Sequence, residues 1–233
     1  MSNIAIITAR GGSKRIPRKN VKVFHGKPML AWSLDASLRS GLFDAVLVST
    51  DDDEIAEIAR SLGAIVPFRR PAALSGDHVP TIPVVRHAVD WLIEHHGSLD
   101  AACCVYPTAP FLQPEDLVKG YQALRGDDMI DYAISVTSFE FPIFRAVKRA
   151  HDGRLSMFWP ENEKVRSQDL PEAWHDAAMF YWGRPKAWQN SDRFFTEKSV
   201  GIPIPRRRVQ DIDTPEDWAQ AEAMAQAIFS TTN

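Results

Sequence analysis

The feature that most constrains this chain is the alternation of short apolar runs with amphipathic helical stretches through about residue 125. Ile4 to Thr8 reads as a strand of the kind buried in a parallel sheet. Lys27-Pro28-Met29-Leu30 opens a helix whose stripe is Leu30, Leu34 and Leu38 and which Gly41 ends. Asp44 to Thr50 is the next strand, and Ile55, Ile58, Ala59 and Leu62 mark the next helix. Ala64 to Pro67 reads as a short third strand. Val84, Val85, Ala88, Val89 and Leu92 then predict a helix, Ala101 to Tyr106 a buried strand, and Pro114 onward a helix with Leu117, Tyr121 and Leu124. Such a βαβα order predicts an α/β fold: a Rossmann-like, doubly wound, mostly parallel sheet with helices on both faces.

The rhythm breaks near residue 132. Tyr132–Ser138, Ile143–Arg149 and Leu155–Phe158 read as strands with no helices between them, and Trp159–Trp174 is long and polar. An irregular segment of that length inside a doubly wound domain predicts an insertion for substrate or partner contact, spanning 138–176, within a single domain covering 1–233. Order returns at His175–Trp182 and Ser199–Ile204. The last helix is well marked, with Thr214 as cap, Pro215 in the first turn, and Glu216 and Asp217 facing its dipole.

The strand Ile4–Thr8 runs into Ala9-Arg10-Gly11-Gly12-Ser13-Lys14-Arg15-Ile16-Pro17-Arg18-Lys19-Asn20. Two glycines free the backbone to turn, and five cations fall within ten residues. The Walker pattern is absent, because Gly26-Lys27 is followed by Pro28. The G-x-G-x-x-G fingerprint is absent too, and Pro17 opposes an immediate helix. With a net charge of −3 over 233 residues, this loop is a local cationic feature. It reads either as a solvated basic surface loop or as a holder of a small polyanion; the charge balance argues against a nucleic-acid partner. Cys103 and Cys104, the only cysteines, read as core residues on opposite faces of a strand. No membrane-spanning run or signal segment is visible, which predicts a cytoplasmic protein.

Three further clusters bear on chemistry. Asp51-Asp52-Asp53-Glu54 reads best as the acidic start of a helix. Asp211 and Asp213, two apart in an extended segment, share a face while Ile212 packs inward; they suit a hard cation such as Mg²⁺ or serve as helix-capping acids. Arg166-Ser167-Gln168-Asp169-Leu170-Pro171 with His175-Asp176 offers polar groups to a hydroxylated ligand, whereas Arg206-Arg207-Arg208 reads as a solvated loop.

Taken together, these motifs resemble those of the CMP-sialic acid synthetase family of cytidylyltransferases. Ile6 to Asn20 resembles its signature. Val48-Ser49-Thr50-Asp51, Tyr106-Pro107-Thr108-Ala109-Pro110 and Asp211-Ile212-Asp213 are similar to further family blocks in the same order. Pro142 to Ala146, Arg166 to Leu170 and His175-Asp176 resemble the branch of the family that activates pseudaminic acid. Sialic acid synthetases usually carry Gln where this chain has Tyr106. The chain departs from the family at Thr8, where Pro is usual, and at Ala178-Met179, where Gly-Gln is expected.

The resemblance implies a nucleotide-diphospho-sugar transferase type of fold with a small inserted dimerisation region. It implies transfer of CMP from CTP to the anomeric hydroxyl of a nonulosonic acid, pseudaminic acid first, with pyrophosphate released. Legionaminate, N-acetylneuraminate or another keto-sugar acid is the alternative substrate, and a non-catalytic nucleotide-binding module is the alternative class. By motif position, Ala9, Arg10, Gly11, Gly12, Ser13, Lys19, Arg70 and Asp77 are nucleotide-binding, with Arg10 on the phosphates of CTP and Lys19 on the leaving pyrophosphate. Arg70 lies near cytosine and Asp77 near the ribose or base edge. Tyr106, Gln168, His175 and Asp176 face the sugar acid. Asp211 and Asp213 hold Mg²⁺, for which Mn²⁺ can substitute, and Arg10, Lys19, Asp211 and Asp213 form the catalytic set. A homodimer is implied, with no nucleic acid or membrane partner.

Overall fold

The computed structural model describes residues 2–230. Its centre is a six-stranded sheet built from β1 (Asn3–Thr8), β4 (Ala45–Ser49), β5 (Ala101–Val105), β6 (Tyr132–Ser138), β9 (Trp174–Gly183) and β10 (Ser199–Pro203). The spatial order is β10-β6-β9-β5-β1-β4. All neighbours run parallel except β9, which is antiparallel to both β5 and β6. The expected Ala64–Pro67 strand shrinks to a single bridge, Leu47 to Ile65. Two small ribbons complete the strands: β2 (Val23–Phe24) with β3 (Lys27–Pro28), and β7 (Val147–Arg149) with β8 (Leu155–Met157).

The alternation of side chains along each strand feeds two cores. Ala5, Ile7, Cys103 and Val105 pack against α1 (Met29–Arg39), α2 (Asp53–Ser61), α4 (Pro114–Gly126) and α6 (Pro215–Ser230). Ile4, Ile6 and Cys104 pack on the opposite face against α3 (Thr81–His96) and α5 (Pro185–Asn190). The two cysteines are fully buried, unbridged and on opposite faces. Among the described residues no helix is long and apolar enough to cross a membrane.

The chain leaves the sheet after Ser138 and returns at Trp174, which pair with each other. Between them lie the β7–β8 ribbon and short 3-10 turns at Ile143–Arg145, Pro160–Asn162 and Ser167–Asp169. Ile143–Arg145, read from sequence as the start of a strand, is one of these turns. Phe141, Val147, Leu155, Phe158 and Trp174 are exposed along this excursion.

From β1 the chain steps to β4 on one side and later to β5 on the other, so β1 is a switch point in strand order. Ligands of open α/β sheets bind outside the carboxyl ends of strands at such a point. The cationic loop 9–20 leaves β1 there.

Candidate active site

At the carboxyl ends of β1, β4 and β5 lies a cleft of about 600 Å³. Thr8, Arg10, Ser13, Lys14, Arg15, Lys19 and Asn20 supply one wall, Arg70, Asp77 and Thr81 another, and Tyr106-Pro107-Thr108 the floor; Asp213 closes the rim. The loop and the carboxylate segment, remote in sequence, meet here. The Lys19 ammonium donates to the Ile212 carbonyl and lies 3.3 Å from Asp213 Oδ1, while Arg15 Nη2 is 2.8 Å from Asp213 Oδ2. Ile212 is fully buried, which turns its two acidic neighbours outward.

The five loop cations divide. Arg10, Lys14, Arg15 and Lys19 face the cleft, and Arg10 and Lys14 both pair with Asp77. Those two partners, Lys14 first, hold the Asp77 carboxyl below its ordinary value. Arg18 turns away. Its guanidinium grips Asp52, with Nη2 3.0 Å from Oδ1, and also reaches Glu54. Arg18 holds a left-handed backbone, φ 57°, a conformation costly without a compensating contact. Asp52 also caps α2 through the Ile55 amide at 3.0 Å. The hydrogen bond from Arg18 dominates the lowering of its carboxyl pKa.

Next to this clamp, the Gly11 amide donates to Asp51 Oδ1 at 3.0 Å, and the Asn20 side chain donates to the Arg10 carbonyl at 2.9 Å. A side chain at Gly11 has no room, because its Cβ would sit 2.5 Å from Asp52 Oδ2. The acidic run after β4 is thus a helix start, as its sequence suggests, and also the anchor of the cationic loop. Parallel strand order puts both at one edge of the sheet, a fact no local motif reveals.

Other expected site residues separate into those at the cleft and those away from it. Arg70 lines the cleft, yet only 5% of it is exposed; its Nε donates to Ser49 Oγ at 3.1 Å and its guanidinium also reaches the Ser49 carbonyl. Burial, with no carboxylate bonded to it, lowers its pKa to about 10. Ala9 is buried, with its amide bonded to Ser49 O. Neither Gly11 nor Gly12 lines the cleft; Gly11 works from behind it.

Asp211 is exposed and outside the cleft lining. Crowding by surrounding protein, and then the Asp213 charge, raise its carboxyl above the usual range. Among the described residues no three His, Cys, Asp or Glu side chains form a ready metal cluster. Two adjacent carboxylates, one raised by the other's charge, nevertheless fit a Mg²⁺ that takes one or two protein carboxylates and the rest of its ligands from phosphates and water.

Gln168, His175 and Asp176 do not reach this cleft from their own chain. Gln168 sits exposed on the 3-10 turn Ser167–Asp169 of the excursion. His175 packs on the Phe139 ring at 4.8 Å and lines a different groove with Arg206 and Gln210. Asp176 turns inward at an irregularity in β9, where Ala178 has φ 50° and register with β6 shifts. Its Oδ1 accepts the Ala178 amide at 2.8 Å and its Oδ2 accepts the Tyr181 hydroxyl at 2.6 Å.

The reading of Arg206-Arg207-Arg208 as a solvated loop fails at Arg208. This residue is buried against Asp116 at the start of α4, with Nη2 2.9 Å from Oδ1, and Nη1 also donates to the Phe111 carbonyl at 3.1 Å. It pins the segment that leads to Asp211 and Asp213.

The described family Cytidylyltransferase matches residues 4–194. The chain is 42% identical over 224 residues to the pseudaminic acid cytidylyltransferase of Campylobacter jejuni, covering 96% of each. It is 28% identical over 234 residues to the CMP-N,N'-diacetyllegionaminic acid synthase of Legionella pneumophila, again covering 96% of each. Among solved structures, a CMP:2-keto-3-deoxy-manno-octonic acid synthetase complexed with CTP superposes with a TM-score of 0.71 at 18% identity, over 98% of this chain and 100% of that one, a likeness of fold. The cleft thus sits on a sheet of that synthetase type, in a chain similar to known cytidylyltransferases along nearly its whole length, and the chain belongs to the cytidylyltransferase family of nucleotidyltransferases.

Proposed function

We propose that this chain transfers CMP from CTP to the anomeric hydroxyl of pseudaminic acid and releases pyrophosphate, acting in the cytoplasm. The observation that carries the reading is the meeting of Arg15 and Lys19 with Asp213 beside Arg10 in one cleft. Arg10, Lys14, Arg15 and Lys19 line this cleft already paired with Asp77 and Asp213, so a triphosphate that displaces those carboxylates meets four cations. The 42% identity to a pseudaminic acid cytidylyltransferase supports the choice of sugar.

Such transfer depends on positioning and charge neutralisation more than on covalent work by the protein. In this reading Arg10 and Ser13 bind the phosphates and Lys19 offsets the charge that builds on departing pyrophosphate. The phosphates take the place of Asp77 on Arg10 and Lys14. Asp77 is then free for the ribose or base edge. Arg70, fixed by Ser49, faces the base, and Tyr106 the sugar acid. Asp213, with Asp211, would hold Mg²⁺ or Mn²⁺, which supplies further neutralisation of phosphate charge.

The excursion 138–176 is assigned to a homodimer contact, supported by its exposed Phe141, Leu155 and Phe158. In that arrangement Gln168 and His175, away from their own cleft, serve the neighbouring one. Sedimentation at the mass of a single chain at micromolar concentration would reject the dimer.

The site assignment is tested by Arg10→Ala in a pyrophosphate-release assay. Losing one charge-assisted phosphate contact is expected to cost at least about a hundredfold in kcat/KM, with the thermal midpoint unchanged. Near-normal turnover would reject the phosphate loop.

A further inference from the structure

The cationic loop turns back on itself at Arg18. The backbone is left-handed there, with φ 57°, and the Arg18 carbonyl accepts the Val21 and Lys22 amides at 3.0 and 2.9 Å. Two consecutive side chains leave this turn for different parts of the frame. The Arg18 guanidinium runs to the start of α2, where Nη2 is 3.0 Å from Asp52 Oδ1, Nη1 meets Asp52 Oδ2, and Glu54 is a further partner. The Lys19 ammonium runs to the 212–213 segment, onto the Ile212 carbonyl and 3.3 Å from Asp213 Oδ1. Lys19 lines the cleft and Arg18 does not.

A left-handed arginine persists only where its surroundings over-determine it. Here the determinant is a two-pronged charged contact, which fixes the orientation of the guanidinium as well as its distance. Asp52 is itself held, because its Oδ1 accepts the Ile55 amide at 3.0 Å as the cap of α2. The other end of the loop has separate holds, the Gly11 amide on Asp51 Oδ1 and the Asn20 side chain on the Arg10 carbonyl. Loss of the Arg18 guanidinium therefore frees the turn that carries Lys19 and leaves Arg10 in place.

We propose that Arg18 is a positioning residue that, through its clamp on Asp52, fixes the turn from which Lys19 reaches the departing pyrophosphate. The proposal rests on the reading above that Lys19 offsets pyrophosphate charge. It gives Arg18 a part in the transfer without contact to substrate. Charge on the leaving group grows as the bond breaks, so a misaimed Lys19 penalises kcat more than KM.

Arg18→Asn removes the clamp with a residue that suits the left-handed backbone. In pyrophosphate release, kcat is expected to fall at least about tenfold, with KM for CTP within about threefold of wild type. The thermal midpoint should stay within about 4 °C, as for a partly exposed ion pair. Asp52→Asn keeps a competent cap for α2 and is expected to give the same fall in kcat from the other side of the clamp. Arg18→Lys, which retains one charged contact, is expected to recover part of the loss. In a Lys19→Gln background, Arg18→Asn is expected to lower kcat by less than about twofold, because the group it positions is gone.

A kcat within about twofold of wild type for either Arg18→Asn or Asp52→Asn would overturn the proposal. So would a full tenfold loss persisting in the Lys19→Gln background, or a rise in KM for CTP with kcat unchanged. Failure of the wild-type enzyme to release pyrophosphate with any sugar acid would sink the functional reading. An active wild type indifferent to these variants sinks only the role of Arg18.

Discussion

Removing the charge of Asp116 should loosen the end of the chain that carries Asp211 and Asp213. The Asp116 and Arg208 side chains retain only 3% and 8% exposure. The carboxylate meets Arg208 at 2.9 Å and also accepts the Gln113 amide at 3.1 Å, which starts α4. Asp116→Asn keeps the volume and leaves a buried guanidinium without its counter-ion. Breaking a buried pair on one side costs about 3–5 kcal/mol, because the surviving charge is uncompensated. For a domain of this size each kcal/mol moves the thermal midpoint by about 2–4 °C, so the midpoint should fall by roughly 6–20 °C.

Circular-dichroism melting at pH 7 measures this for Asp116→Asn, Arg208→Gln and the double variant. Since the second substitution removes the orphaned charge, the double variant should be at least about 2 kcal/mol more stable than the sum of the singles. A fall of under about 3 °C, or strict additivity, would refute the account of the pair.

Gly11→Ala should raise KM for CTP by at least about tenfold while leaving the fold intact, because a Cβ 2.5 Å from Asp52 Oδ2 displaces the loop from its clamp; unchanged KM values would reject the clamp. Asp211→Asn should raise the thermal midpoint at pH 8 in the presence of chelator and abolish Mg²⁺-dependent turnover. The Asp211 pKa is higher folded than unfolded, so its ionised form opposes folding above that pKa, and the opposition fades as pH falls through it. A midpoint lowered at pH 8 would contradict this.

Much of this was legible from pattern. The apolar runs that became β1, β4 and β5 and the helix stripes between them predicted the layered sheet, because burial on both faces writes itself into sequence. The cationic loop and the pair Asp211 and Asp213 were visible as chemistry, although only the fold brings Lys19 and Asp213 within 3.3 Å. What escaped was long-range: Arg18 and Asp52, Arg208 and Asp116, and Asp176 and Tyr181. In each case the sequence shows a charged or polar residue with several ordinary explanations, and the partner is set by strand order or a bulge. The antiparallel β9 was hidden for the same reason, since its apolar run reads alike in either direction.

The most direct test is pyrophosphate release from CTP with Mg²⁺, measured across pseudaminic, legionaminic, N-acetylneuraminic and 2-keto-3-deoxy-manno-octonic acids. The account predicts turnover with CTP and the highest kcat/KM for pseudaminic acid. Turnover with N-acetylneuraminic acid alone would contradict the reading of Tyr106, and no pyrophosphate with any of the four would contradict the proposed reaction.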